Sequence, residues 1–359
     1  MSIYWYWLAN LPGIGAVTVD KLLQCFSSPK QIYEAKEQEL KKILNPAQVT
    51  TLLERKDLDK IQKEWLGLEE KGIRFIHRDS EEYPERFRVF PDAPVGFYLK
   101  GKMPLERTVS IAIVGARNAS AYGMEMALYF AKGLAKAGVN IISGLAYGID
   151  KQAHIGALEV GGYTMGVLGC GINICYPKEN YALFERMQHS GGILSEFPLS
   201  ENPKANHFPM RNRLISGLSD GVLVVEAKEK SGSLITVDFA LEQGKEVFSI
   251  PGRLKEANSI GCNRLIQEGA KLVMEPEDIL QEFGISNFFI NNERKNTENN
   301  LAQKEKMVYS VLGLEAKFID EIIENTRLTV QETLSALFSL EIKGYVKQVV
   351  KNYYIKSME

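Results

Sequence analysis

Residues 109–124 read VSIAIVGARNASAYGM, and this stretch sets the architecture. Val109–Val114 is a short apolar run rich in β-branched residues, ending on Gly115 and Ala116. Tyr122-Gly123 then opens a helical pattern over Met124–Lys136. A strand, a small-residue loop and a helix N-terminus in succession make both an α/β unit and an anion site. Gly115 and Ala116 let an anion approach the backbone, the helix end adds partial positive charge, and Arg117 offers forked donors for a phosphate. The pattern is not G-x-G-x-x-G, and the next strand ends Ile142-Ser143-Gly144-Leu145 without an acidic residue for a ribose. Ordinary dinucleotide binding is therefore not expected, and no cofactor is implied.

Working outward, β-rich runs recur at Val139–Ser143, Thr164–Leu168, Gly192–Phe197, Val222–Val225 and Glu246–Ile250, separated by amphipathic helical stretches. That alternation predicts a Rossmann-like α/β core with a mostly parallel sheet over residues 105–284. Upstream, residues 1–104 read as a helical domain followed by a connecting segment around Pro84, Pro91 and Pro94, with Leu22, Leu23, Phe26, Ile32, Leu40 and Ile43 at helical spacings. Leu11-Pro-Gly-Ile-Gly15 precedes a helix near Val17, either a tight turn between packed helices or a helix-hairpin-helix (SAM-like) DNA motif. Downstream, residues 285–303 hold six asparagines and read as a linker. Residues 304–359 give helices at Lys304–Leu312, Phe318–Thr326 and Val330–Lys343, then a hairpin, which suggests a winged helix.

The whole chain of 359 residues has 43 basic and 45 acidic side chains, and the segment 105–284 has 17 basic and 20 acidic. A general basic surface is excluded, so any polyanion site must be local. The four cysteines form no C-x-x-C pair, which disfavours structural zinc and suits a reducing cytoplasm. No run of about 18 apolar residues occurs, so the chain reads as cytoplasmic with no membrane partner.

A second phosphate cradle is expected where Ser231-Gly232-Ser233 enters a helix ending near Gln243, although Ser231 or Ser233 can equally serve as a simple cap. Between the cradles, Phe208-Pro-Met-Arg211-Asn212-Arg213 supplies two guanidinium groups and a ring suited to phosphates and an unstacked base. The alternative is that Phe208 enters the core and the arginines pair with carboxylates such as Glu226 or Glu196. Lys178, Lys204 and Lys245 fall in or near loops and are candidates for a basic rim. Asp150 and His154 stand four apart on an expected helix and offer acid-base chemistry, but no nucleophile or metal-ligating cluster accompanies them, so no catalytic residue is assigned.

The ordered motifs resemble the DNA-processing protein A family (DprA, also called Smf). They include Ile111–Arg117, Ser143-Gly-Leu-Ala-Tyr-Gly-Ile-Asp150, Ala153-His154, Val167-Leu-Gly169, Tyr176-Pro177, Leu194-Ser-Glu196, Phe208–Arg213, Val225-Glu-Ala227, Ser231–Thr236, Glu242-Gln-Gly244 and Ile250-Pro-Gly252. Two positions depart from the family pattern: Ala116 replaces the usual serine, removing a hydroxyl donor, and Tyr147 replaces a frequent arginine, removing a charge but keeping a ring able to stack. The resemblance implies single-stranded DNA binding, loading of the recombinase RecA, protection of DNA taken up in natural transformation, and a homodimeric core. Leu265 and Ile266, on the apolar side of Cys262–Gly269, are candidates for the dimer patch and can equally be core.

The candidate DNA-binding set is therefore Gly115, Ala116, Arg117, Ser143, Gly144, Tyr147, Lys178, Lys204, Phe208, Arg211, Asn212, Arg213, Ser231, Gly232, Ser233 and Lys245. Competing readings are a nucleotide-processing enzyme on a related fold and a duplex-binding regulator acting through the winged helix. The regulator reading is weakened because residues 301–359 hold 8 basic and 8 acidic residues and the expected recognition helix begins Val330-Gln-Glu-Thr. That module reads better as a protein-interaction or dimer-related element.

Overall fold

The computed structural model describes residues 2–285, 301–313 and 316–357. It divides into two compact units, residues 1–284 and 285–359.

The first unit opens with six helices: α1 (Ser2–Ala9), α2 (Ala16–Cys25), α3 (Pro29–Glu34), α4 (Glu37–Leu40), α5 (Pro46–Glu54) and α6 (Leu58–Glu69). Their starts follow from local chemistry. Ser28, Asn45 and Asp57 each accept a backbone N–H from the first turn, and Pro29 and Pro46 occupy positions whose N–H has no helical partner. Two strands follow, β1 (Arg74–His77) and β2 (Gly96–Gly101).

The α/β succession is β3 (Ser110–Val114), α7 (Ala121–Lys136), β4 (Asn140–Ser143), α8 (Ile149–Glu159), β5 (Thr164–Leu168), α9 (Tyr181–Ser190) and β6 (Gly192–Ser195). It continues with α10 (His207–Gly217), β7 (Gly221–Val224), α11 (Gly232–Glu242), β8 (Glu246–Ser249), α12 (Ile260–Gln267), β9 (Lys271–Leu272) and α13 (Pro276–Glu282). One nine-stranded sheet results, in the order β1-β2-β6-β5-β4-β3-β7-β8-β9. The pairings from β6 through β9 are parallel, whereas β2 joins β6, and β1 joins β2, antiparallel. Strands β3 to β7 are buried along their whole length, as parallel strands covered on both faces must be.

Alternate side chains serve opposite apolar layers. Leu168 and Ile193 join the layer that continues into the N-terminal helices, while Val167 and Leu194 join the layer under α10 and α11. The same first layer holds Trp5, Trp7, Leu22, Ile32 and Leu40. Hydrogen bonds add register: Tyr98 donates to Asn10 Oδ1 at 2.8 Å, and Trp5 Nε1 donates to Asp79 at 2.9 Å.

Two expected boundaries move. The core sheet begins at Arg74 rather than Leu105, because β1 and β2 extend its edge through β6 and belong to the same unit as the helices. The Asn-rich tract 286–300 lies outside the described residues, and the linker's expected end at 303 is too late. Leu301 is already buried in the second unit, and a helix starts at Gln303.

The second unit contains helices Gln303–Val311, Ile319–Thr326 and Val330–Ile342, with strands β10 (Lys317–Phe318), β11 (Val346–Val350) and β12 (Tyr353–Lys356) in the order β10-β12-β11. Val308, Ile322, Leu337, Leu340 and Val346 form its core. This is a winged helix with the wing at β11–β12. None of the described helices is long and apolar enough to cross a membrane.

Candidate functional site

The chain leaves β3 for β4, β5 and β6 on one side and returns to β7 on the other, so strand order reverses between β3 and β7. Such a switch point opens a crevice beyond the C-terminal strand ends, where open α/β sheets bind ligands. A cleft of about 700 Å³ lies there. The loop after β3 lines one wall with Gly115, Ala116, Arg117 and Asn118. The loop after β7 and the start of α11 line another with Lys228, Lys230, Ser231, Gly232 and Ser233. Helix α10 contributes Phe208 and Asn212, and Ala146, Asp150, Tyr176, Pro203 and Ala205 also border the cleft.

Arg117 is exposed and its guanidinium carbon lies 4.9 Å from the centroid of the Phe208 ring. Tyr176, 42% exposed, lies with its ring centroid 5.7 Å from that of Phe208. A planar cation and two aromatic faces thus line one side of the cleft, with room for stacking. Phe208 and Asn212 share this side because residues four apart lie on one helix face. Asn212 Nδ2 donates to Gly232 O at 3.2 Å and joins α10 to the loop of α11.

The two expected cradles differ. At the start of α7, Glu226, only 4% exposed, takes the anion's place. Its carboxylate accepts from Ser120 N at 2.9 Å and from Ser120 Oγ at 2.5 Å, while Ala116 N donates to Glu226 O at 2.8 Å. Gly115 is glycine for packing: a Cβ there would stand 2.7 Å from Ile149 Cγ1 and 2.9 Å from Glu226 O. Ser120 at the helix end expected to cradle a phosphate is thus engaged from within, and Arg117 and Asn118 are that loop's polar side chains at the cleft. At the start of α11 the capping expectation holds, since Ser231 Oγ accepts from Ser233 N at 3.4 Å. The cap does not close the site: Gly232 is exposed, with nothing within 4 Å of where its Cβ would be. First-turn N–H groups lack intrahelical partners, and Lys228 and Lys230, both exposed, stand just before them.

Other candidates serve as supports. Arg211 is buried, and its Nη1 donates to Gly144 O at 2.7 Å and also to Val167 O, which holds the β4–α8 loop from below. A side chain on Gly144 would collide with that guanidinium, and Ser143 Oγ donates to Ile113 O at 2.7 Å. Arg213 pairs with Glu196 at 2.5 Å and Asp92 at 3.2 Å, as the carboxylate alternative anticipated for Glu196. These four residues are enclosed and do not present their polar atoms to the cleft. Burial and the nearby Arg117 charge lower the Arg211 pKa to about 10 despite Asp150, which leaves it charged at neutral pH.

Tyr147 is exposed beside Ala146 and donates to Glu179 at 2.5 Å; that bond raises the phenol pKa. Lys178 is exposed two residues beyond Tyr176, and Lys204 pairs with Glu201 at 2.5 Å between the cleft-lining Pro203 and Ala205. Lys245 is misplaced as a rim residue. It precedes β8, at the N-terminal edge of the parallel sheet, where Asp220 and Arg86 interact with it.

Asp150 and His154 are bonded elsewhere rather than to each other. Asp150 accepts from Gly144 N at 3.1 Å and Ala146 N at 3.4 Å, and its pKa is raised chiefly by burial, against the pull of Arg211. His154 Nδ1 meets Thr164 Oγ1 at 2.6 Å, and burial with the Arg211 charge lowers its pKa to about 3. A histidine so held is neutral at pH 7 and is not poised to exchange protons.

Sequence reasoning missed Asn118, Tyr176, Lys228 and Lys230 as cleft residues. The lysines were detectable, since they stand immediately before the proposed α11 cradle. Leu265 packs partly buried against the sheet core and Ile266 is half-buried, so neither is a freely open patch.

Residues 74–284 match the family model described as DNA recombination-mediator protein A, and residues 292–350 match the DprA winged helix domain. Protein Smf of Escherichia coli (strain K12) is 38% identical over 299 residues, covering 82% of this chain and 80% of that protein. DNA processing protein DprA of Bacillus subtilis (strain 168) is 45% identical over 214 residues, 59% of this chain and 72% of that one. The X-ray structure of DprA from Streptococcus pneumoniae superposes with a TM-score of 0.70 at 35% identity, covering 79% of this chain and 98% of that one. A structure concerned with the single-stranded DNA binding mode of DNA processing protein A from Helicobacter pylori superposes with a TM-score of 0.54 at 30% identity, covering 59% and 95%.

Proposed function

The chain belongs to the DNA recombination-mediator protein A family, and from that premise we propose that it binds single-stranded DNA in the crevice between β3 and β7. The observation that carries this reading is the stack of Arg117 on Phe208 beside the open start of α11. Backbone phosphates lie against Arg117, Lys228, Lys230 and the N–H groups of Gly232 and Ser233, while an unpaired base stacks on Phe208 or Tyr176. Stacking accepts any base, because every base has a π-face, so sequence preference is weak. In a duplex the base faces are buried in the stack, and single strands are favoured.

The proposed role is binding without catalysis, with the bound strand protected and passed to RecA recombinase during recombination or transformation, in the cytoplasm and as a homodimer. The description of the family as recombination mediators supports this role. The competing enzyme reading loses support because His154 is held by Thr164, and Asp150, which borders the cleft, already accepts from the backbone N–H groups of Gly144 and Ala146.

Phe208→Ala tests the site by fluorescence anisotropy with labelled homopolymer strands. Loss of one stacked base weakens binding by about 1–3 kcal/mol for each homopolymer alike. Unchanged affinity for all of them contradicts the reading.

A further inference from the structure

The buried lining of the cleft is largely apolar. Val114, Ala116 and Ile215 belong to it, with Thr236 and Asp150 as its polar members, and Asp150 is the one ionisable group among them. The Asp150 carboxylate is used unevenly. Its Oδ2 accepts both backbone N–H groups, from Gly144 and from Ala146. Its Oδ1 has no hydrogen-bond partner among the described residues, yet it is not one of the polar atoms sealed without a partner in the core. That oxygen therefore opens to the cleft that the residue borders. A position in the first turn of α8 accounts for a carboxylate here and for the two bonds to Oδ2. It does not account for an idle acceptor on a side chain only 7% exposed, because an acceptor withdrawn from water without a partner is costly. Arg211 does not take up the oxygen, since its Nη1 is committed to Gly144 O and Val167 O. The Arg117 charge also acts on this carboxylate, which brings Asp150 within electrostatic reach of the guanidinium stacked on Phe208.

We propose that Asp150 Oδ1 reads the edge of the base held in the cleft and favours guanine at that one position. The inference rests on single-strand binding in this crevice and adds to it a residue that distinguishes bases. A base stacked by its face on Phe208 or Tyr176 turns its edge to the remaining walls, where hydrogen bonds read unpaired bases. An ionised carboxylate only accepts, so it selects edges that donate. Guanine carries two adjacent donors, the ring N1–H and the exocyclic amino group, and one oxygen with two lone pairs can take both. Adenine and cytosine set their amino group beside a ring-nitrogen acceptor, and thymine sets its single N–H between two carbonyl oxygens. In those three bases a lone pair confronts the carboxylate. In a duplex the same edge is already paired, so the reading is confined to unpaired strands. Only one nucleotide of a bound strand is read, and preference over a mixed sequence stays weak, as stacking by itself requires.

The test is fluorescence anisotropy on the full-length chain with labelled oligo-dT of about 12 nucleotides, unmodified or carrying one central purine. The guanine strand is expected to bind about fivefold more tightly than oligo-dT, toward the lower end of what a specific base contact supplies. Guanine methylated at N1 loses that advantage, and hypoxanthine, which lacks the amino group, falls between. Asp150→Asn keeps an oxygen for the Gly144 and Ala146 N–H groups and turns an NH2 donor toward the base, so the ratio of guanine-strand to oligo-dT affinity is expected to fall to about one. Circular dichroism checks its fold, and the methylated and hypoxanthine strands test the wild-type chain without any variant. Tight binding of oligo-dT with no gain from guanine overturns the inference and leaves single-strand binding standing. The inference is equally overturned if N1-methylation costs nothing, or if a folded Asp150→Asn chain keeps the ratio. Failure of every strand to bind overturns the single-strand reading itself and this inference with it.

Discussion

Arg117 and the two arginines of α10 carry the same charge and have different work. Arg117 is exposed and stacked on Phe208, so its guanidinium edge remains available to a phosphate. Hydrogen bonds to charged groups contribute about 1.5–3 kcal/mol, and Arg117→Ala is expected to weaken single-strand binding by roughly 10- to 100-fold without lowering the melting temperature. Arg213 instead separates the carboxylates of Glu196 and Asp92. Arg213→Ala strands a partly enclosed Glu196 charge, so it should destabilise the fold by about 3–5 kcal/mol, read by denaturant unfolding, while the surviving folded protein binds DNA normally. The Phe208–Arg213 motif alone hides this division. Residues two apart on a helix point to nearly opposite sides, so once α10 is recognised as a helix, Arg211 and Arg213 cannot share one face with each other, whereas Phe208 and Asn212 can. The sealing of the first cradle by Glu226 was beyond the sequence, because Glu226 is more than a hundred residues from Ser120.

At the scale of elements, the β4–α8 loop is held from three directions. Leu145 takes a left-handed φ of 55°, Gly148 takes φ 70°, and Asn180 Nδ2 donates to Leu145 O at 2.9 Å. A side chain on Gly148 would come within 2.3 Å of Ala116 O, so this loop fixes the Arg117 loop by direct packing. His154, behind it on α8, supplies a pH signature. Its folded pKa, lowered to about 3, lies below the ordinary histidine value of 6.5. The stabilisation from burying the neutral ring is therefore present above about pH 6.5 and is lost as pH falls toward 3. The expected slope is about 1.4 kcal/mol per pH unit across that window, and His154→Gln should flatten the dependence of melting temperature on pH. The parallel strands β3 to β8 were legible to within about two residues because buried β-branched runs between glycine-rich loops have few other solutions, whereas the parallel edge strand β9, two exposed residues, carries no such run. Strands β1 and β2 were not, since the prolines at 84, 91 and 94 interrupt the pattern and the pairing partner, β6, comes about a hundred residues later.

At the scale of the whole molecule, residues 1–284 form one compact unit that contains every wall of the cleft. A chain ending at Gly284 is accordingly expected to bind a single strand within about threefold of full length, measured by filter binding at low protein concentration. The helical N-terminus does not stand apart as a separate domain, because its aromatic residues complete an apolar layer of the sheet itself. Net charge was uninformative in the direction that mattered. A core with three more acidic than basic residues still gathers Arg117, Lys228 and Lys230 around one crevice, so attraction to DNA arises from placement rather than total charge. Salt dependence reports that placement directly. The decisive measurement is the affinity of wild type and Arg117→Ala for a labelled single strand and for its duplex, across salt concentration. The account predicts that wild type prefers the single strand and that Arg117→Ala both weakens this binding and lowers the log–log salt slope by about 0.7, the release expected for one phosphate contact. Equal or tighter duplex binding, or an Arg117→Ala chain with unchanged affinity and slope, would contradict it.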